Sequence, residues 1–198
     1  MARGVLIRHR DFRLLWGGET VSQLGSQVSL LAIPLLAVRT LHATTFQMGL
    51  LTAASTAAFL VVGLPAGVWV DRIRRRRVMI GADLGRLLAL GSVPVAYAAG
   101  LLTLAQLFVV TLVAGVLTVF FDVAYQSYLP SLVGREHLVE GNAKLTGSEQ
   151  AATVAGPSIA GGLVQAIGSA AAVAVDAVSF LVSGAAVTAI RTPEPRPE

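Results

Sequence analysis

The chain has 198 residues, of which 55% are hydrophobic and only 13% are charged, and its mean hydropathy is +0.73. A soluble domain carries about 25% charged residues, so this composition argues against a soluble fold and predicts a membrane protein with several spans. The net charge of +4 would suggest nucleic-acid binding in a soluble protein, but here the basic residues lie in short segments beside apolar runs, and no nucleic acid is expected.

Six apolar segments are long enough to cross a bilayer, because a hydrocarbon core of about 30 Å needs roughly 20 apolar residues per helix. The clearest are Thr40–Val70 and Leu87–Phe121, which contain no Asp, Glu, Lys or Arg. The sequence therefore predicts an all-α membrane protein with an N-terminal arm at 1–13 and a polar, proline-rich tail at 191–198. The predicted transmembrane helices are 14–38, 46–70, 78–100, 105–129, 145–167 and 170–190.

Basic residues predict the orientation of these spans. Four lie in the arm, five between the second and third spans, two between the fourth and fifth, and two in the tail. Only Arg39 falls on the opposite side, and Arg86 lies inside the third span. By the positive-inside rule both termini are cytoplasmic, in a multi-pass protein of the inner (plasma) membrane. The tail is expected to be a disordered terminus or the start of a central linker.

The first predicted span has a polar side. Glu19, Gln23 and Gln27 recur every four residues and so share one half of the helix. The same half carries three serines: Ser22, Ser26 and Ser29. A polar stripe cannot face lipid, so it either lines a watery cavity or forms hydrogen bonds between helices. The three long side chains favour a cavity, and Glu19 is a candidate to carry a coupling proton if burial favours its neutral form.

The break between the second and third spans holds the most distinctive motif. Its members are Gly67, Asp71, Arg72, Arg75 and Arg76. The spacing resembles the signature loop of the major facilitator superfamily, although Arg74 stands where that loop commonly has glycine. The resemblance implies a six-helix half-bundle built from two inverted three-helix repeats. Such transporters usually have twelve helices, with the substrate site between two halves.

The same resemblance implies roles for two members of the motif. Asp71 would approach a helix of the other half. Arg75 would pair with Asp122 at the end of the fourth span, as a latch that breaks during alternating access. The simpler alternative is that the arginines only fix the topology and that Asp122 neutralises one of them permanently.

A second block resembles the branch of the superfamily that exports drugs and siderophores. The matching residues are Pro130, Leu132, Val133, Arg135, Leu138, Asn142, Gly156, Pro157, Gly161 and Gly162. In the fifth span, Ala152, Gly156 and Ala160 form a face of small residues that allows close helix contact. This face packs either against the other half, as the resemblance implies, or within the six-helix bundle.

Further charges lie inside the predicted spans. Asp83 and Arg86 are three residues apart near the start of the third span, which predicts a same-helix ion pair close to the membrane surface. Glu149 is in the first turns of the fifth span, where an acid suits a helix N-terminus, so structural and functional roles are both open. Asp176, in the sixth span, is a second candidate to line a cavity and carry the proton.

These patterns together predict a transporter rather than an enzyme. The three histidines fall in predicted loops, which disfavours an intramembrane protease, and the sequence has no phosphate-binding loop of an ATP-driven exporter. We expect a proton-coupled exporter, or antiporter, of small molecules such as drugs or siderophores, with no cofactor or metal. Its expected partners are the lipid bilayer, the substrate, and a missing C-terminal half or a second copy. A homodimeric half-transporter and a non-transporting scaffold are the alternatives.

Overall fold

The computed structural model describes residues 9–192 and residue 194, without the side chains at positions 55, 64, 68, 71 and 135. Within these residues the chain forms six α-helices, a short 3-10 turn at Arg135–His137, and no β-strand. The helices are α1 (Arg10–Leu41), α2 (Thr45–Asp71), α3 (Arg75–Ala98), α4 (Leu104–Val133), α5 (Leu138–Ile167) and α6 (Ser169–Thr188). The predicted all-α fold is confirmed.

Two threonines fix where helices begin. The hydroxyl of Thr44 accepts a hydrogen bond from the backbone N–H of Gln47 at 3.3 Å, and the Gln47 side chain accepts one from the backbone N–H of Thr44 at 2.8 Å. Thr103 caps α4 with a single bond, which its hydroxyl accepts from the backbone N–H of Gln106 at 3.2 Å. These caps pair N–H groups that have no partner within the helix.

The connection between α4 and α5 is shorter than predicted. The sequence suggested a loop between residues 129 and 145, but α4 continues to Val133 and α5 begins at Leu138. Gly134 makes the turn with a φ of 75°, which glycine adopts without steric cost. The loop prediction is therefore wrong over most of its length, since local turn chemistry at one glycine was enough to reverse the chain.

Helix α5 differs from the other helices in composition. Five of the described helices are long and apolar enough to cross a membrane, and α5 does not meet that criterion. Its buried residues form one stripe along the helix: Gly141, Leu145, Ala152, Gly156, Ala160 and Val164. Its other side exposes several polar residues: Gln150, Thr153, Ser158 and Gln165. Thus α5 has one packed face and one exposed face, on which these polar residues alternate with apolar ones such as Val154 and Ile159.

The helices pack in an internal two-fold pattern. Helix α1 packs mainly against α6 and then α5, and α4 correspondingly packs against α3 and then α2, while α3 and α6 pack against each other. Exchanging α1–α3 with α4–α6 reproduces this set of contacts. Because three helices precede the exchange, the second repeat enters the membrane from the opposite side. This is the predicted arrangement of two inverted three-helix repeats.

Glycines bring α1 and α6 into close contact. A Cβ atom at Gly18 would lie 2.9 Å from the Cβ of Ala186, and one at Gly25 would lie 2.7 Å from the Cβ of Ser179. Ser22, on the same side of α1, is only 3% exposed. Ser22 therefore belongs to a helix contact, and the prediction that it shares a cavity wall with Glu19 is corrected.

Candidate functional site

A cavity of about 450 Å³ lies between α1, α4 and α5 and has a largely polar wall. Three carboxylic acids from three helices line it: Glu19, Asp122 and Glu149. Further polar or aromatic residues complete the wall: Trp16, Thr20, Gln23, Tyr125, Gln126, Asn142, Thr146 and Ser148. We call this cavity the polar pocket. The fold thus brings together four of the predicted site residues, Glu19, Gln23, Asp122 and Glu149, which come from three helices.

Glu19 is the most enclosed acid of the polar pocket. Gln23 Nε2 donates a hydrogen bond to Glu19 Oε1 at 2.7 Å, one helical turn along α1. The second carboxyl oxygen is buried and has no hydrogen-bond partner among the described residues. Leaving a buried carboxylate oxygen without a donor is costly. The position therefore suits a group that takes up a proton or faces a cationic ligand.

Tyr125 lines the polar pocket together with the three acids. It lies within electrostatic range of Glu19, Asp122 and Glu149, and its buried hydroxyl has no hydrogen-bond partner in the described part of the chain. Its ring stacks on Phe121, with centroids 6.1 Å apart. An unpaired hydroxyl beside three carboxyl groups can donate to whichever of them is ionised.

The rim of the polar pocket is held by a contact between α1 and α5. Trp16 Nε1 donates a hydrogen bond to Ser148 Oγ at 2.6 Å, and Phe12 stacks on the indole ring with centroids 6.4 Å apart. Since Ser148 precedes Glu149, this bond also positions the third acid. The sequence analysis did not identify either Trp16 or Ser148 as part of the site.

Gln27 does not line the polar pocket. A Cβ at Gly156 would lie 2.5 Å from Cβ and Cγ of Gln27, so the Gln27 stem packs directly on the Gly156 backbone. Ala152 and Ala160 are buried on the same stripe of α5. The small face of α5 therefore packs within the bundle, which was one of the two alternatives. Three other predicted packing residues lie away from this contact: Pro157, Gly161 and Gly162.

A second cavity, of about 390 Å³, lies on the other side of α1 and α4, where α2 replaces α5 in the wall. Its lining is mainly apolar and includes Arg86, Asp176 and Phe180. Several hydroxyl groups also line it: Ser26, Ser29, Thr52, Thr56, Thr111 and Thr118. The two cavities correspond under the exchange of the inverted repeats, but only one of them is rich in acids.

Asp83 and Arg86 form a buried ion pair in the middle of the bundle. Arg86 Nη2 donates to Asp83 Oδ1 at 2.5 Å, and the side chains are 4% and 1% exposed. The guanidinium lies between two aromatic rings, 4.5 Å from the centroid of Phe121 and 4.2 Å from that of Phe180. The predicted same-helix pair is present and is buried among the helices, while its place relative to the membrane surface stays a prediction. Helix α3 starts at Arg75, which puts Asp83 in its third turn.

Asp176 lies apart from the polar pocket. It is 1% exposed, and Ser179 Oγ donates a hydrogen bond to its Oδ1 at 3.2 Å. A Cβ at Gly25 would lie 2.6 Å from the same oxygen, so Asp176 also contacts the backbone of α1. The two proton candidates of the sequence analysis, Glu19 and Asp176, thus line different cavities.

The signature motif lies at the end of the bundle where α2 ends and α3 begins, which we call the arginine end. Gly67 is half-buried with nothing within 4 Å of where its Cβ would be, and Arg72 is exposed just after α2. Asp71 is the last residue of α2, and its side chain lies outside the described part of the structure. Asp122 has Arg86 and Glu149 as electrostatic neighbours, so its expected link to Arg75 stays a prediction.

Comparison with known proteins decides the family. Residues 15–198 match the Major Facilitator Superfamily. The chain belongs to this superfamily. It is 25% identical over 183 residues to an uncharacterised MFS-type transporter, YfiS, of Bacillus subtilis. It is 28% identical over 187 residues to macrolide efflux protein A of Streptococcus pyogenes.

These relatives are longer than the chain. Each match covers 92% of this chain, but only 43% of the Bacillus protein and 45% of the Streptococcus protein. The chain therefore spans less than half the length of the curated relatives it matches. Membership of a transporter superfamily agrees with the apolar helices, which identify the chain as a multi-pass membrane protein.

At the arginine end of this superfamily member, Arg76 caps the C-terminus of α6. Its Nε donates to the carbonyl of Val187 at 3.1 Å, and its Nη2 donates to the carbonyl of Thr188. The last carbonyls of a helix have no partner within the helix and carry partial negative charge, so a guanidinium stabilises them. Arg76, predicted as part of the gating motif, thus has a second role in joining α3 to α6.

The residues after α6 are also anchored at the arginine end. Asp11 Oδ2 accepts hydrogen bonds from the backbone N–H of Arg191 at 3.1 Å and from the N–H and hydroxyl of Thr192 at 2.8 and 2.7 Å. Glu194 Oε1 accepts from the backbone N–H of Arg75 at 2.5 Å, in the first turn of α3. The expectation of a disordered tail is wrong for Arg191, Thr192 and Glu194. Asp11 binds the backbone N–H groups of the first two, and Glu194 itself binds an N–H group at the start of α3.

Arg76→Gln is expected to lower the thermal stability of the protein more than Arg77→Gln. The first change removes two hydrogen bonds from a charged donor to helix-terminal carbonyls, and the second affects an exposed arginine of the same turn of α3. Because Arg76 is partly exposed, we expect a loss of about 1 kcal/mol. Thermal unfolding in detergent measures the difference. Both variants lose one positive charge, so equal unfolding temperatures would contradict the capping role.

Proposed function

We propose that the chain is the N-terminal half of a secondary active exporter that moves small molecules, such as drugs or siderophores, in exchange for protons. The observation that carries this proposal is the polar pocket, where acids from α1, α4 and α5 line one cavity. Glu19 and Asp122 are partly buried there, and buried acids bind a proton or a cationic substrate more readily than exposed ones. The name of one relative, macrolide efflux protein A, supports the outward direction.

The proposal requires a partner that covers α5. A polar helix face is costly in lipid, where it finds no water to bond with, and α5 exposes residues such as Gln150 and Gln165. We propose that a second six-helix half, either a C-terminal continuation or a second copy of this chain, covers that face. The substrate would then bind near the midplane between the halves, and rocking of the halves would expose it alternately to each side.

In this scheme the arginine end faces the cytoplasm, and the signature motif controls the rocking. The clustered arginines favour the cytoplasmic side of the inner (plasma) membrane. Asp71 and Arg75 would form contacts that exist in one arrangement of the two halves and break in the other. Asp122, which lines the polar pocket, would also pair with Arg75 in the latch. Protonation of the acids would then affect whether the latch is closed.

The proposal is tested by a transport assay in proteoliposomes that contain the complete product of the gene. An imposed proton gradient is expected to drive accumulation of a macrolide or a siderophore against its concentration gradient. Asp71→Asn is expected to reduce this flux far more than Arg77→Gln at equal expression, since only the first removes a member of the latch. The absence of gradient-driven flux across a panel of such compounds would instead favour a non-transporting scaffold.

A further inference from the structure

Arg86 is the only basic side chain buried in the described part of the bundle, and its contacts place it between two acids. It hydrogen-bonds the hydroxyl of Thr118 at 3.4 Å, one helical turn before Asp122 on α4. It also lies on the ring of Phe180, one turn after Asp176 on α6. Residues four apart share one face of a helix. Arg86 therefore faces the sides of α4 and α6 that carry these two acids.

The acids around Arg86 come from four helices. Glu19 on α1, Asp83 on α3, Asp122 on α4 and Asp176 on α6 all lie within electrostatic range of its charge. Helix α5 contributes Glu149, which acts on Asp122. Helix α2 has no Asp, Glu, Lys or Arg between Thr45 and Val70. One buried cation thus has four buried or half-buried acids within electrostatic range. Glu19 and Asp122 line the polar pocket, Asp176 lines the second cavity, and Asp83 pairs with Arg86 directly.

The pairing of Arg86 with Asp83 leaves bonding capacity unused. A guanidinium has five N–H donors, yet Arg86 makes described hydrogen bonds only to Asp83 and Thr118. Its Nε is buried without a hydrogen-bond partner among the described residues, and a further polar neighbour of Asp83, the hydroxyl of Ser183, lies outside hydrogen-bond geometry with Oδ2. The two aromatic rings hold the guanidinium without using any donor. A permanent structural pair would be expected to be bidentate and fully bonded.

We propose that Arg86 is an exchangeable counter-ion that balances Asp83, Asp122 and Asp176 in turn, and so links the polar pocket to the second cavity. When a proton or a ligand neutralises one acid, the guanidinium shifts toward the others, because its attraction to the neutralised group is lost. The two rings keep it within reach of α4 and α6 during the shift. That this link serves transport rests on the proposed function, but the exchange itself does not.

Labelling with a hydrophobic carbodiimide tests the exchange, because this reagent modifies carboxyl groups in their protonated form. The wild-type protein, Asp83→Asn/Arg86→Gln, Arg86→Lys and the exposed control Arg77→Gln are labelled at neutral pH, and the rates at Glu19 and Asp122 are read by peptide mass spectrometry. The double variant removes the cation while keeping the ion-pair site neutral. In this variant Glu19 and Asp122 are expected to be labelled about tenfold faster than in the wild type, which is the effect of a change of one pKa unit. Arg86→Lys and Arg77→Gln are expected to stay near wild type.

Unchanged labelling in the folded double variant would overturn the proposal, since Arg86 would then serve only Asp83. If the double variant does not fold, Asp83→Asn decides. Exchange predicts that this variant folds, because Asp122 and Asp176 take over as partners, whereas a fixed pair predicts unfolding around an uncompensated charge. Labelling needs neither substrate nor gradient. A failure to detect transport would therefore contradict only the proposed function. Unchanged labelling would contradict only the exchange of partners by Arg86.

Discussion

Gly25→Ala is expected to force α1 and α6 apart and to lower the free energy of unfolding by about 1–3 kcal/mol. The added methyl group would lie 2.7 Å from the Cβ of Ser179, which is fixed to the α6 backbone and cannot rotate away. It would also lie 2.6 Å from Asp176 Oδ1, the oxygen that accepts the hydrogen bond from Ser179. Because α1 packs more extensively on α6 than on any other helix, the strain falls on the main contact of the bundle.

Gly17→Ala is the matched control for this prediction. Gly17 lies on the same helix, is exposed, and has nothing within 4 Å of the position of the new Cβ. Alanine is also a better helix former than glycine by about 1 kcal/mol, so this change should leave stability unchanged or slightly raised. Thermal or denaturant unfolding in detergent compares the two. A Gly25→Ala protein as stable as Gly17→Ala would show that α1 and α6 do not depend on this contact.

The helices could be predicted from the sequence because a long apolar run can be recognised from its composition alone. The break between the third and fourth spans was predicted at residues 100–105, and the structure ends α3 at Ala98 and begins α4 at Leu104. The α4–α5 connection was missed. A single glycine with a positive φ reverses the chain, and the polar residues after it were taken as a loop although they continue as helix.

The candidate site was predicted as separate residues and not as an arrangement. Helical spacing identified Glu19 and Gln23 as one polar stripe, but no periodicity within α1 shows that Asp122 and Glu149 converge on it from other helices. The burial of Arg86 was missed because the spacing of Asp83 and Arg86 is the same in a surface pair and a core pair. Only the tertiary packing supplies the rings of Phe121 and Phe180 that enclose the guanidinium.

The inverted repeats give two cavities of related position and different chemistry. One is lined by three acids between α1, α4 and α5, and the other is mainly apolar between α1, α2 and α4. Under the proposed function, symmetric backbones with different side chains would separate two tasks, namely binding a proton and accommodating an apolar molecule. Arg86 is the described residue that contacts the second cavity and lies within electrostatic range of the acids of the first. Coupling between the tasks would then pass through charge and not through a shared binding site.

Glu19→Gln is expected to reduce proton-driven efflux at least about tenfold, which corresponds to about 1.4 kcal/mol. Glutamine has nearly the same shape and can still hydrogen-bond Gln23, so the packing of α1 is kept, but it neither binds nor releases a proton. Transport down the substrate gradient should persist, because the neutral side chain resembles the protonated acid. Flux in proteoliposomes with and without a proton gradient separates these two activities. A gradient-driven flux equal to wild type would remove Glu19 as the proton carrier.

Two further variants decide what a loss of coupling in Glu19→Gln means. Glu136→Gln makes the same chemical change at a side chain that is 81% exposed, so it controls for the loss of one negative charge and should transport normally. Asp176→Asn tests the acid of the second cavity. Since Asp176 is enclosed by Ser179 and the backbone of Gly25, its neutralisation should weaken stability more than coupling. The opposite result, with coupling lost only in Asp176→Asn, would move the proton from the polar pocket to the second cavity.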